Sequence, residues 1–109
     1  MGAQTLFSDR VVLSDTNYTE VVAGETGVDK LVTNVFMKNN NGNTKVIALA
    51  VVPDGATAGE TYEIHQFDTL ADDATQALDK TVVLPAGYSL YAVGDADIEV
   101  VAQGKKATA

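Results

Sequence analysis

At 109 residues the chain is long enough for one domain, whose core removes roughly two-thirds of the unfolded surface from water, and too short for two. Seven basic against fifteen acidic residues give a formal net charge of -8, which disfavours phosphate contact and argues against nucleic acid or an anionic membrane as partner. Cysteine is absent, which excludes disulfides and thiolate chemistry and, with a single histidine, any zinc set.

The opening MGAQTLFSDR has neither the basic start nor the apolar stretch of a secretory signal, and Met1-Gly2 lacks the Ser or Thr spacing of a myristoylation site. No run of about 18 apolar residues follows, so no membrane-spanning helix is expected. Residues 1–29 hold few large apolar side chains and are broken by Ser8, Asp9, Ser14, Asp15, Asn17, Gly24 and Gly27. They read as an N-terminal arm or as edge strands, with Val11–Leu13 and Tyr18–Val22 extended, a turn at SDTN, and Met1–Ser8 mobile.

Lys30–Pro53, KLVTNVFMKNNNGNTKVIALAVVP, places two apolar runs about an Asn-rich tip. Asn41-Gly42 accepts the positive φ of a tight primed turn, which predicts a β-hairpin. In the second arm Val46, Ala48, Ala50 and Val52 fall on one side and Ile47, Leu49 and Val51 on the other. The arm is therefore expected to be covered twice, by the core and by a second layer such as a neighbouring subunit. A buried helix is the competing reading, disfavoured by the Val and Ile content and the flanking turn signals. With seven aromatic residues and no Trp, the core is chiefly Val, Leu, Ile and Ala, thin enough to invite burial against a partner.

Pro53-Asp54-Gly55 and Gly59 carry a loop, and Tyr62–Phe67 alternates as a half-buried strand. Asp68–Lys80 is ambiguous: Leu70, Ala74, Ala77 and Leu78 recur at helical spacing behind a Thr69/Asp72 capping box, whereas a loop entering a strand near Thr75 is the rival. Thr81–Leu84, Tyr88–Val93 and Asp97–Ala102 read as strands, separated by a type I turn at Pro85-Ala86-Gly87 and a turn at Gly94-Asp95. Residues 105–109 read as a flexible tail. About seven or eight short strands with at most one short helix make an all-β chain, an antiparallel β-sandwich, jelly-roll-like, over residues 30–104.

Groups for catalysis are sparse. His65 beside Glu63 offers a general base, but a lone histidine on a strand is more often a hydrogen-bonded surface or interface residue. Ser8, Ser14 and Ser89 have no nucleophile elbow around them. Asp95, Asp97 and Glu99, and separately Asp68, Asp72 and Asp73, offer oxygen ligands for calcium, yet neither cluster has the spacing of a calcium loop, and a solvated acidic face is the plainer reading. No enzymatic activity, metal or cofactor is expected. Charge is unevenly spread: Asp54–Glu99 holds ten carboxylates and one cation, Lys80, while the other basic residues lie at or before Lys45 or at Lys105 and Lys106. That pattern suits an acidic outer surface with basic segments reserved for contact, and equally suits ordinary solubility.

Three stretches, LVTNVFMKNNNGNTKVIALAVVPDG, TYEIHQFDTLADDATQAL and KTVVLPAGYSLYAVGDADIEVVAQG, resemble small virion proteins of tailed bacteriophages. In those proteins a strand ending in Asn, a polar turn, a strand ending in Val-Pro-x-Gly and a Leu-Pro-Ala-Gly turn recur. The resemblance covers residues 30–104 and turns Asp68–Lys80 away from the helix. It implies a capsid decoration (cement) protein on the virion surface, made in the host cytoplasm, which forms a homo-oligomer such as a trimer and binds the major capsid protein. A tail, neck or baseplate component, or a glycan-binding module using Tyr88 or Tyr91, is the alternative. Within this reading Phe36, Ile47, Leu49 and Val51, part of the run Val46–Val51, are expected to pack subunits together. Arg10, Lys30, Lys38 and Lys45 are expected to contact the shell.

Overall fold

Period-two alternation of apolar and polar residues is met by strands throughout residues 3–108, the part of the chain this computed structural model describes, with backbone alone at 67 and 68. The strands are β1 (Thr5–Val12), β2 (Thr19–Val22), β3 (Val28–Asn39), β4 (Lys45–Val52), β5 (Glu63–Leu70), β6 (Thr75–Ala77), β7 (Val82–Leu84), β8 (Ser89–Val93) and β9 (Ile98–Thr108). A 3₁₀ turn at Glu60–Tyr62 is the one helical element among the described residues.

Two antiparallel sheets pack face to face. The first has the order β1-β9-β3-β6, with β7 also on β3, and the second has β2-β8-β4-β5. With β6 and β7 taken as one interrupted strand, these are the orders of two interlocked Greek keys, so the sandwich is jelly-roll-like. Val32, Val35, Met37 and Val100 from the first sheet meet Ile47, Leu49, Leu90 and Ala92 from the second, all without exposed surface. Each large side chain so buried stabilises the fold by about 2 kcal/mol. The slab measures 43 × 25 × 20 Å, which leaves two broad outer faces.

Several expectations need correction. Lys30–Pro53 is not a hairpin: β3 pairs with β9, β6 and β7, while β4 pairs with β5 and β8, so the Asn-rich loop carries the chain from one sheet to the other. Asn39 explains that path. Fully buried, its side-chain amide donates to the carbonyls of Asn43 (2.7 Å) and Leu70 (2.8 Å), and its side-chain oxygen accepts from the Asn41 N–H (2.8 Å). A two-residue turn has no place for such an anchor, since a buried amide must satisfy both ends.

Asp68–Lys80 resolves as the end of β5, a turn and β6, without a helix. The turn at Pro85-Ala86-Gly87 is type II rather than type I, because Tyr88 N–H bonds the Pro85 carbonyl and Gly87, in third place, takes a φ of 84°. Nor is residue 105 the start of a free tail. Lys105 and Lys106 pair with both β1 and β3, and Ala107 and Thr108 continue the pairing with β3. The polar composition GKKATA concealed a strand flanked on both sides. Thr5–Ser8 likewise belong to β1, whose pairing with β9 starts at Thr5; Met1, Gly2 and Ala109 lie outside the described residues.

Candidate functional site

Directly opposed residues in an antiparallel sheet point the same way, so the register shows what each outer face presents. Five rows cross the first sheet's outer face: Ala107 and Asp29; Leu6, Lys105, Leu31 and Val83; Ser8, Gln103 and Asn34; Arg10, Val101, Phe36 and Ala77; Val12, Glu99, Lys38 and Thr75. Seven large apolar side chains are exposed among the described residues, and five of them, Leu6, Val12, Leu31, Phe36 and Val83, lie on this face. Leu6 is 78% and Val83 61% exposed. Scattered exposed apolar residues need no explanation, whereas a cluster on one face marks an interaction surface.

Phe36 points outward because of one irregularity. The register of β3 against β9 slips between Val32 and Asn34, leaving Thr33 as an extra residue. Inward positions are Lys30 and Val32 before the slip and Val35, Met37 and Asn39 after it. A single extra residue reverses which side chains face the core. Gly104 sits opposite the bulge, and a Cβ there would collide with the Leu31 carbonyl, so only glycine lets the two backbones approach. A depression of about 340 Å³ lies on the same side of the sheet, lined by Leu31, Val83, Pro85 and Ala107 together with Asp29 and Lys105.

Charges complete the face. Its rows hold three cations, Arg10, Lys38 and Lys105, against two carboxylates: Glu99, which accepts a 2.6 Å hydrogen bond from Arg10, and Asp29, which accepts from the Ala86 N–H at 2.8 Å. That bond, and then the guanidinium charge, hold the Glu99 carboxyl below its ordinary value. Lys38 and Lys105 are exposed on the same face.

The second sheet's outer face is built differently. One row runs Glu20, Tyr91, Ala50 and Glu63, and the next Val93, Ala48 and Gln66. Ala48, Ala50 and Val52 on this side are buried although they face away from the core. Their cover comes from the chain itself. The Tyr18 hydroxyl reaches across the sheet to donate to Glu63 Oε2, and the Glu60–Tyr62 turn lies against β4. The hydrogen bond to Glu63, followed by burial and the charges of Glu63 and Glu60, pushes the Tyr18 phenol up to about 12. Burial, then the Glu20 charge and hydrogen bond, raises Tyr91 as well.

The register also sorts the residues expected to make contacts. Phe36, Arg10 and Lys38 come together on the first outer face, so residues assigned to two different contacts share one surface. Ile47 and Leu49 are lost to the core with no exposed area, and both are corrected from subunit packing to core packing. The second layer that β4 needs is supplied from within the chain. Val51 is half-buried and packs against the core cluster. Lys30, 6% exposed, is corrected from shell contact: its ammonium donates to the Ala23 carbonyl at 2.6 Å and pairs with Glu25 at 3.2 Å. Lys45 is bound to Asp95 at 2.9 Å. Leu6, Leu31, Val83 and Lys105 are contributions that the sequence did not reveal, because an exposed strand residue and a core one look alike until the register is known.

No group of three or more His, Cys, Asp or Glu converges to hold a metal ion among the described residues. Asp95 and Glu99 are engaged by Lys45 and Arg10, and Asp72 accepts from the Gly42 N–H at 3.0 Å. The side chain of Asp68 lies outside the described residues. His65 sits within β5, opposite Leu49. Tyr88 packs against the core cluster.

No known protein family matches the chain, and no curated protein matches it in sequence. Solved structures share its fold. One is a protein of the Bacillus endospore appendages, described as disulfide-linked pili, with a TM-score of 0.56 and 15% identity over 98% of this chain and 91% of that one. Another comes from the acid-stable capsid of Helicobacter pylori bacteriophage KHP30, with a TM-score of 0.51 and 14% identity over 96% of this chain and 87% of that one. At such identities the likeness is one of fold.

Proposed function

We propose that the chain is a non-enzymatic virion structural protein, a capsid decoration (cement) protein that acts as a homo-oligomer and bridges neighbouring major capsid subunits. The observation that carries this reading is the first sheet's outer face, where apolar and cationic side chains gather on a protein that is otherwise acidic. The fold shared with a phage capsid protein is consistent with that role. Function here is burial rather than reaction: Phe36, Leu31 and Val83 supply apolar area, and Arg10, Lys38 and Lys105 steer the face toward acidic surfaces. Individually weak contacts become tight once copies are linked, because each further contact is intramolecular. No cofactor enters this account.

The test is made on particles. Virions assembled with and without this chain are heated while release of their nucleic acid is followed with a fluorescent dye. Cement action lowers the release temperature of particles lacking the chain and restores it on adding the purified protein; equal release temperatures overturn the reading. A tail, neck or appendage component is the second reading, kept because the endospore-appendage protein has the same fold. Gold-labelled antibody distributed over the whole shell supports cement, and label at one vertex or along a fibre supports the alternative.

A further inference from the structure

We infer that the apolar, cationic outer face of the β1-β9-β3-β6/β7 sheet binds the acidic outer face of the β2-β8-β4-β5 sheet in a second copy of this chain, head to tail. The inference deepens the proposed function and rests on its premise that the protein works as an assembly of copies.

Charge selects the occupant. Two copies meeting through the first outer face alone would bring Lys38 and Lys105 of one against the same cations of the other. Of the two carboxylates on that face, Glu99 is already engaged by Arg10 and Asp29 accepts from the Ala86 N–H, so the face keeps an excess of cations. Like charges opposed across an interface are costly. On the second outer face, Glu20 and Glu63 flank Tyr91 and Ala50 in one row, and exposed Glu60 lies on the adjoining turn. Neither of the rows described on that face holds a cation. A copy therefore carries complementary surfaces on opposite sides of one slab. Such a contact is heterologous, so each copy bound presents a fresh face to the next, and the series closes as a ring or runs on as a filament.

The experiment is a charge exchange read by sedimentation velocity on purified full-length chain. One variant carries Lys38→Glu with Lys105→Glu, which makes both outer faces acidic; a second carries Glu20→Lys with Glu60→Lys, which makes both basic. All four side chains are exposed, and circular dichroism with urea midpoints confirms that the variants are folded. The unaltered chain is expected to sediment above its 11.4 kDa monomer mass and to return toward it in about 1 M salt, where the screening length is roughly 3 Å. Each variant alone is expected to associate at least about tenfold more weakly, and an equimolar mixture to regain the assembly, since every face then finds its opposite.

Three outcomes overturn the inference: an unaltered chain that stays monomeric at every concentration, a lysine variant that assembles like the unaltered chain, or a mixture that stays monomeric. Failure of the proposed function is a separate result. Copies that associate as described yet leave virion release temperatures unchanged overturn cement action alone, and monomers that protect virions overturn this inference and the homo-oligomer of the proposed function while cement action stands.

Discussion

The two outer faces obey the same alternation yet reach opposite ends. On the second sheet the outward positions of β4 are Val46, Ala48, Ala50 and Val52, of which Val46 alone stays exposed, and the chain spends Tyr18 and the Glu60–Tyr62 turn on this side of the strand. On the first sheet the outward positions are large, Leu6, Leu31, Phe36 and Val83, and they remain exposed. Apolar surface that a chain covers itself contributes to its own fold; apolar surface left open contributes only when something else arrives. The difference separates residues that matter for folding from residues that matter for assembly.

The largest effect tests that separation. Leu49 and Phe36 are both apolar strand residues, but Leu49 has no exposed area and Phe36 is 38% exposed. Leu49→Ala removes packed core atoms and leaves a cavity, so the urea unfolding free energy should fall by about 3 kcal/mol. Phe36→Ser should change it by less than about 1 kcal/mol, in keeping with a surface site, while weakening association of copies. Equal losses of stability would collapse the distinction between the two kinds of surface.

How far the sequence foretold this division depends on what alternation encodes. Strands, turns and the all-β class follow from local pattern, and β8 and the first half of β9 lie where period-two alternation put them. Partners do not follow, because pairing is a long-range choice. Asn41-Gly42 carries a hairpin signal, and the buried anchor of Asn39 overrides it. Which face a residue takes was equally hidden. The extra residue at Thr33 turns Phe36 outward, and no composition rule announces a bulge whose counterpart is a glycine on β9. Lys30 defied its type, since lysine is rarely buried unless paired, and here the loop at Ala23 and Glu25 supplies the pairing.

An intermediate effect is expected in acid, and it concerns the first face and the sandwich margins. Hydrogen bonds from Arg10, Lys45 and Lys30 hold Glu99, Asp95 and Glu25 below their ordinary values of 4.5, 3.8 and 4.5. A carboxyl whose folded value is lowered contributes its stability in full above the unfolded value, and the contribution is lost as pH falls through the folded one. The melting temperature should therefore decline below about pH 4.5. Arg10→Gln should shrink that decline, because the hydrogen bond that chiefly lowers Glu99 is lost. The Arg10–Glu99 pair is partly exposed and screened, so the change is small; an identical acid profile in the variant would show that the Arg10–Glu99 pair contributes nothing.

The smallest effect sits on the second face, at high pH. The Tyr18 phenol, with an ordinary value of 10.0, is pushed up to about 12 chiefly because it donates to Glu63. A group raised on folding contributes its stability in full below its unfolded value and loses it as pH climbs through the folded one, here between 10.0 and about 12. Spectrophotometric titration of the folded protein should thus show a phenolate phase near 12 that Tyr18→Phe removes. Ionised Tyr18 can no longer donate, and it faces the Glu63 carboxylate as a like charge. The tyrosine that bridges the second face should then swing away and bare Ala48 and Val93, with which it borders one depression. Binding of a hydrophobic dye that rises across this interval in the unaltered chain, and not in Tyr18→Phe at neutral pH, would trace the uncovering to loss of the bridge through ionisation rather than to absence of the hydroxyl. A rise in the neutral variant would instead make the hydrogen bond itself the fastener, leaving charge only a secondary part in closing this face.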